Sequence, residues 1–242
     1  MNFPSSQLRA VITGASSGIG EATTLTFAKA GIDLALISRP SDKLKAVAKA
    51  AQEVGVLVQA HGIDLCKLTE IPLKIQQIAD GFGGIDIIVN NAGMGYTSSL
   101  ADTSLSDWQK VMDLNLTSVF QCVRGILPQM RKQGHGTIIN VSSIAASNTF
   151  PKWGAYSVSK AGLAAFSRVL AAEEKANGIR VITINPGAVN TPIWDTDTVQ
   201  ADLNRSAMLD PYTVAQTILQ AAILPAEAVI EEMTILPSAG TL

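Results

Sequence analysis

Ala10-Val11-Ile12-Thr13-Gly14-Ala15-Ser16-Ser17-Gly18-Ile19-Gly20 decides the fold of this chain. Residues 10–13 are apolar and β-branched and read as a strand, and helical periodicity takes over at Glu21. Between them, glycines allow a tight turn and let backbone amides approach a pyrophosphate at a helix N-terminus, where the helix dipole favours anions. Gly14, Ser16, Ser17, Gly18, Ile19 and Gly20 are therefore candidate ligand-binding residues. Their G-x-x-x-G-x-G spacing departs from the commoner G-x-G-x-x-G dinucleotide fingerprint. Gly14 to Gly18 also satisfies the G-x-S-x-G pattern of a hydrolase nucleophile elbow. That chemistry needs a later acid and histidine, yet the only histidines are His61 and His135, neither suitably placed. The elbow also does not belong on the first strand of a hydrolase fold, so hydrolysis is set aside.

Outward from this stretch, strand-like runs recur at 34–37, 56–60, 85–90, 137–141, 180–184 and 229–236. Helical periodicity fills 21–30, 42–54, 105–130, 155–176 and 212–223. Alternating strands and helices predict a parallel sheet covered on both faces, and no linker or repeat divides residues 1–242, so one domain is expected. Hydrophobic residues make up 47% and charged residues 16%, as such a sheet requires. A net charge of −2 argues against nucleic acid as a partner. No apolar run is long enough to span a bilayer and no signal peptide is visible, so a cytoplasmic protein without a membrane partner is expected. Cys66 and Cys122 read as reduced, partly buried residues, and no cluster has metal-ligand spacing.

Two further positions carry chemistry. The second strand ends at Ser38-Arg39, where dinucleotide folds place an acid to hold the adenosine ribose. Serine in place of the acid, with a guanidinium beside it, favours a 2′-phosphate and hence NADP(H) over NAD(H). Tyr156 and Lys160 lie four residues apart, one turn apart on one helix face. A phenol titrates near pH ~10. A neighbouring ammonium is expected to lower that by about 1–3 units, making a tuned general acid/base.

The glycine run, Asn90-Asn91-Ala92-Gly93, Ser143, Tyr156-x-x-x-Lys160 and Pro186-Gly187 together resemble the short-chain dehydrogenase/reductase family across nearly the whole chain. The resemblance implies a Rossmann-type three-layer α/β/α sandwich around a doubly wound, mainly seven-stranded parallel sheet. It implies an oxidoreductase moving hydride between a nicotinamide cofactor and a small carbonyl or alcohol substrate. Asn115, Ser143, Tyr156 and Lys160 would be catalytic. Asp64 and Leu65 would meet the adenine, and Asn91, Ala92 and Gly93 would pass under the cofactor ribose. Pro186, Gly187, Val189 and Thr191 would fix the nicotinamide, with Tyr156 and Lys160 also touching the cofactor. Residues 189–209 would form a substrate lid, and Arg205 is a candidate receptor for a substrate carboxylate. Family members pair through the helix at 155–176 and the one before strand five, implying a homodimer or homotetramer.

Two alternatives stay open. One is a 3-oxoacyl-thioester reductase, although the tail Ile235-Leu236-Pro237-Ser238-Ala239-Gly240 departs from that group's glycine-rich acidic ending. The other is a non-catalytic dinucleotide-binding sensor or scaffold.

Overall fold

The computed structural model describes residues 7–201 and 204–240. In chain order the elements are β1 (Arg9–Thr13), α1 (Gly18–Lys29), β2 (Asp33–Ser38), α2 (Asp42–Gln52), β3 (Val58–Gly62), α3 (Ile71–Gly81) and β4 (Ile87–Asn90). They continue as α4 (Leu105–Met112), α5 (Ser118–Gln133), β5 (Gly136–Val141), α6 (Gly154–Glu174), β6 (Ile179–Pro186), α7 (Pro211–Ala222) and β7 (Glu232–Ile235). All strand pairings are parallel, in the order β3-β2-β1-β4-β5-β6-β7. The order reverses between β1 and β4, and in open α/β sheets such a reversal opens a crevice beyond the strands' carboxyl ends.

Alternate residues of each strand enter two cores. Ala10, Ile12, Leu34, Leu36, Ile182 and Ile184 pack with Phe27, Val47, Val214 and Ile218 from α1, α2 and α7. Val11, Ala35, Ile37, Ile88, Ile138 and Val181 pack with Ile75, Ile78, Val123, Ile126, Leu163 and Leu170 from α3, α5 and α6. This is the two-faced burial that the composition requires. No described helix is long and apolar enough to cross a membrane.

The stretch expected as one helix over 105–130 is interrupted. A π-helical turn, Asp113–Thr117, separates α4 from α5. Such bulges are rare and collect at functional sites. Here the wider turn accompanies Asn115, which is fully buried and whose amide bonds backbone outside its own helix. Helix α3 adds to those named from periodicity, with Ile71, Ile75 and Ile78 as its buried stripe. Strand β3 begins two residues later than expected and β7 is confined to Glu232–Ile235.

A polar ladder crosses this apolar interior. Asn90 Nδ2 donates to Asn140 Oδ1 at 2.8 Å, and Asn140 Nδ2 donates to Ser167 Oγ at 2.8 Å. Ser167 Oγ in turn donates to the Leu163 carbonyl, so β4, β5 and α6 are tied in register. All three side chains are buried.

Candidate active site

The glycine turn closes directly on the loop after β4. Thr13 Oγ1, at the end of β1, accepts from both Asn91 N and Ala92 N at 3.0 Å. Asn91 Nδ2 donates back to the Thr13 carbonyl. Two of its glycines leave no room for a side chain: a Cβ at Gly20 would sit 2.1 Å from the Gly14 carbonyl oxygen, and one at Gly14 2.9 Å from Ala92 Cα. Gly14 and Gly18 both have positive φ, at 66° and 57°. Ser17, the N-cap of α1, makes no side-chain capping bond, so no side chain of its own covers the helix's first amides. A Cβ on Gly18 would lie 3.0 Å from Thr191 Cγ2, so the turn faces the segment after β6 across the crevice.

On one flank, Ser16 and Ser38 share a hydroxyl–hydroxyl bond of 2.8 Å, and Arg39 beside them is exposed. Ile63 N donates to the Ser38 carbonyl, which brings Asp64 and buried Leu65 to the same edge. Asp64 also shapes its own turn, with Oδ1 accepting from Cys66 N at 3.0 Å. Cys66 is exposed rather than partly buried, whereas Cys122 is fully enclosed and burial pushes its thiol up to about 12. On the other flank, Gly187 N donates to the Ile235 carbonyl, and Val189 and Thr191 are buried.

Between the flanks stand the four residues assigned to catalysis. Helix α6 carries Tyr156 and Lys160, while Ser143 follows β5 and accepts from Ala145 N. Lys160 is buried, and its Nζ donates to the Val141 carbonyl at 2.9 Å. Asn115 Oδ1 accepts from Met94 N at 2.8 Å, while Nδ2 donates to the Met94 carbonyl and to Ser159 Oγ. Ser159 then donates to the Tyr156 carbonyl at 2.7 Å. Gly93 marks the meeting point: a Cβ there would be 3.2 Å from Asn115 Oδ1 and 3.6 Å from Lys160 Nζ. Thr13, Met94 and Ser159 thus hold the site together, and their spacing in the sequence announces none of this.

One expectation is reversed. The helical spacing suggested that Lys160 would lower the Tyr156 phenol, but burial raises it above the usual range, opposed by a hydrogen bond with Ser143. The ammonium lies 5.8 Å from the ring centroid and is engaged by Val141. Burial acts on the lysine as well, lowering it to about 8. Desolvation therefore governs both groups.

Arg205 is also placed differently from its expectation. Its Nε donates to Asn190 Oδ1, Nη1 to Asp195 Oδ1 and Nη2 to the Thr191 carbonyl, at 2.8, 3.0 and 3.0 Å. It staples Asn190, Thr191 and Asp195 together, which occupies its donors within the segment. The same segment is tied across the crevice, with Thr97 N donating to the Thr198 carbonyl and Gln200 N to Thr97 Oγ1. Two of the expected lid positions, 202 and 203, lie outside the described residues.

The family profile for short chain dehydrogenases matches residues 9–202. This chain belongs to the short-chain dehydrogenase/reductase family. Within the family it is 32% identical over 228 residues to an uncharacterized oxidoreductase of Staphylococcus haemolyticus, covering 94% of this chain and 96% of that one. It is 37% identical over 186 residues to a D-beta-hydroxybutyrate dehydrogenase of Rhizobium meliloti, covering 76% and 72%. Among solved structures it resembles an alcohol dehydrogenase of the archaeon Thermococcus sibiricus complexed with 5-hydroxy-NADP, with a TM-score of 0.88 and 29% identity. That match covers 96% of this chain and 97% of the other. As a short-chain dehydrogenase/reductase, the chain is an oxidoreductase by family, and its seven-stranded parallel sheet is the fold of its structural neighbours.

Proposed function

We propose that this chain is an NADP(H)-dependent oxidoreductase acting on a carbonyl or alcohol, with Tyr156 as general acid/base. The observation that carries the reading is the convergence of a half-buried phenol, a serine hydroxyl and a buried lysine beside the tightly closed glycine turn. The turn fits a nucleotide: Gly14 and Gly20 have no room for side chains, and it ends at a helix N-terminus that its own serine leaves uncapped. Gly14, Ser16, Ser17, Gly18, Ile19 and Gly20 would hold the pyrophosphate. Ser38 and Arg39 would take the adenosine 2′-phosphate, and Asp64 and Leu65 the adenine. Asn91, Ala92 and Gly93 would lie along the ribose. Pro186, Gly187, Val189 and Thr191 would orient the nicotinamide. The 5-hydroxy-NADP bound by the Thermococcus structure agrees with the choice of cofactor.

When bound, the nicotinamide supplies or accepts the hydride. In the reducing direction the carbonyl carbon gains that hydride, Tyr156 passes its proton to the carbonyl oxygen, and an alcohol results. Ser143 donates a hydrogen bond to that oxygen as negative charge develops on it. Lys160, titrating near 8, can return a proton to the phenol in the working pH range, which a lysine at its ordinary value cannot do readily. Asn115 fixes the backbone on which this exchange depends.

The test pairs two variants. Tyr156→Phe should lower kcat by about a thousandfold or more while changing the Kd for NADPH less than about threefold. Arg39→Ala should weaken NADPH binding about tenfold and leave NADH binding unaltered. Retention of most activity by Tyr156→Phe would remove the phenol from the chemistry. Tight nucleotide binding without turnover of any aldehyde, ketone or oxoacyl thioester would instead identify a sensor.

A further inference from the structure

Three aromatic rings run from the start of α6 to the segment beyond Val189. Trp153 packs edge-on against Tyr156, with ring centroids 5.3 Å apart at 70°. The same indole meets Trp194 at 5.7 Å and 68°. Trp194 Nε1 donates to the Val189 carbonyl at 2.7 Å, so its one polar group is spent on backbone. The residue before Trp153 is held in an uncommon conformation. Lys152 has φ of 70°, the only positive value at a non-glycine among the described residues. Its carbonyl accepts from Ser98 N at 2.8 Å, which pins the turn that sets the indole against the phenol. Strain of this kind persists where the surroundings over-determine it, and it gathers at ligand-facing positions. Arg205, the guanidinium nearest in sequence to Trp194, has all three nitrogens committed to Asn190, Asp195 and Thr191.

We propose that the substrate is a small, uncharged ketone or secondary alcohol whose bulk is limited by Trp153. The proposal rests on the oxidoreductase reading above and deepens it. A substrate oxygen that reaches both Tyr156 and Ser143 must bring its flanking carbons up against the indole. An aromatic wall rewards apolar groups through burial and dispersion. It offers a carboxylate no partner, and an anion taken from water without one is strongly disfavoured. The wall also fixes size, since adding or removing one methylene in an apolar pocket changes discrimination by about 10–200-fold.

The test measures kcat/KM with NADP⁺ for 2-butanol, 1-phenylethanol and 3-hydroxybutyrate, using the full-length protein and Trp153→Ala and Trp153→Phe. The expected wild-type result is a preference for 2-butanol over 3-hydroxybutyrate of at least about a hundredfold. Trp153→Ala should raise the ratio of 1-phenylethanol to 2-butanol by about tenfold, with Trp153→Phe shifting it in the same direction by less. Because Trp153→Phe keeps an aromatic ring in place, it decides the question if the alanine variant does not fold. A preference for 3-hydroxybutyrate, or a ratio unmoved in both folded variants, overturns the proposal. Binding is read separately from tryptophan fluorescence of NADP⁺-loaded Tyr156→Phe. A response to 2-butanol but not to 3-hydroxybutyrate supports the uncharged class even if the wild type turns over nothing, in which case only the oxidoreductase reading falls. A response to neither, or to 3-hydroxybutyrate alone, overturns it.

Discussion

At the scale of single residues, the site is governed by desolvation. Lys160 in the folded chain titrates near 8 against its ordinary 10.5. Below pH 8 the folded protein carries a buried charge that water would otherwise solvate. Between 8 and 10.5 the unfolded chain binds the extra proton, so raising the pH through this window favours the folded state. A shift of that size corresponds to about 3 kcal/mol. Replacing Lys160 by Met removes this burden but strands the Val141 carbonyl, at about 1–3 kcal/mol. Cofactor-free Lys160→Met should therefore be as stable as the wild type at pH 7, or more so by up to about 2 kcal/mol. Its advantage should disappear and reverse by pH 10.5. Urea denaturation at both pH values checks this, and parallel stabilities would refute it. The placing of Tyr156 and Lys160 on one turn of one helix was legible from spacing, whereas Ser143 entered only through the family resemblance. The direction of the phenol's shift was not, because spacing places a lysine near a tyrosine without saying how far each is withdrawn from water.

At the scale of elements, the alternation of strands and helices was readable because buried parallel strands are short apolar runs with glycine-rich or polar breaks. The π-helical turn was not readable. Residues 105–130 keep a nearly unbroken helical pattern, and one extra residue in a turn shifts that pattern too little to notice. The turn's purpose becomes visible only when Asn115 is seen to grip both polar atoms of Met94, a residue 21 positions earlier. Asn115→Ala would leave the Met94 amide and carbonyl without those partners. The variant should lose roughly 2–4 kcal/mol in urea unfolding. A loss below about 1 kcal/mol would mean that solvent replaces the amide there.

At the scale of the whole molecule, α5 and α6 lie side by side. The fully buried Glu174 carboxylate accepts from Arg131, whose guanidinium also holds that carboxyl below its usual range. Phe120 and Phe166 stack edge-on at 6.2 Å on the same pair of helices. Phe120 and Val169 nevertheless remain 43% and 57% exposed, which leaves an apolar face without a neighbour in the single chain. A homodimer or homotetramer built on α5 and α6 would cover it. Val169→Glu should then lower the sedimenting mass toward that of one chain without unfolding it, and an unchanged mass would place the contact elsewhere. The family resemblance pointed to these two helices as a pairing surface, but the order of the strands and the cross-links among them came only with the fold. Those cross-links bear on how α6 stays in place. Its buried face mixes the small Ser159, Ala164 and Ser167 with Leu163 and Leu170, so apolar contact alone does not single out one setting as sharply as a hydrogen bond does, and a slide of one turn is about 5.4 Å. The Asn90–Asn140–Ser167 ladder acts as a key in a slot: only one axial setting satisfies it, so the phenol and the amine cannot creep along the sheet as the chain breathes.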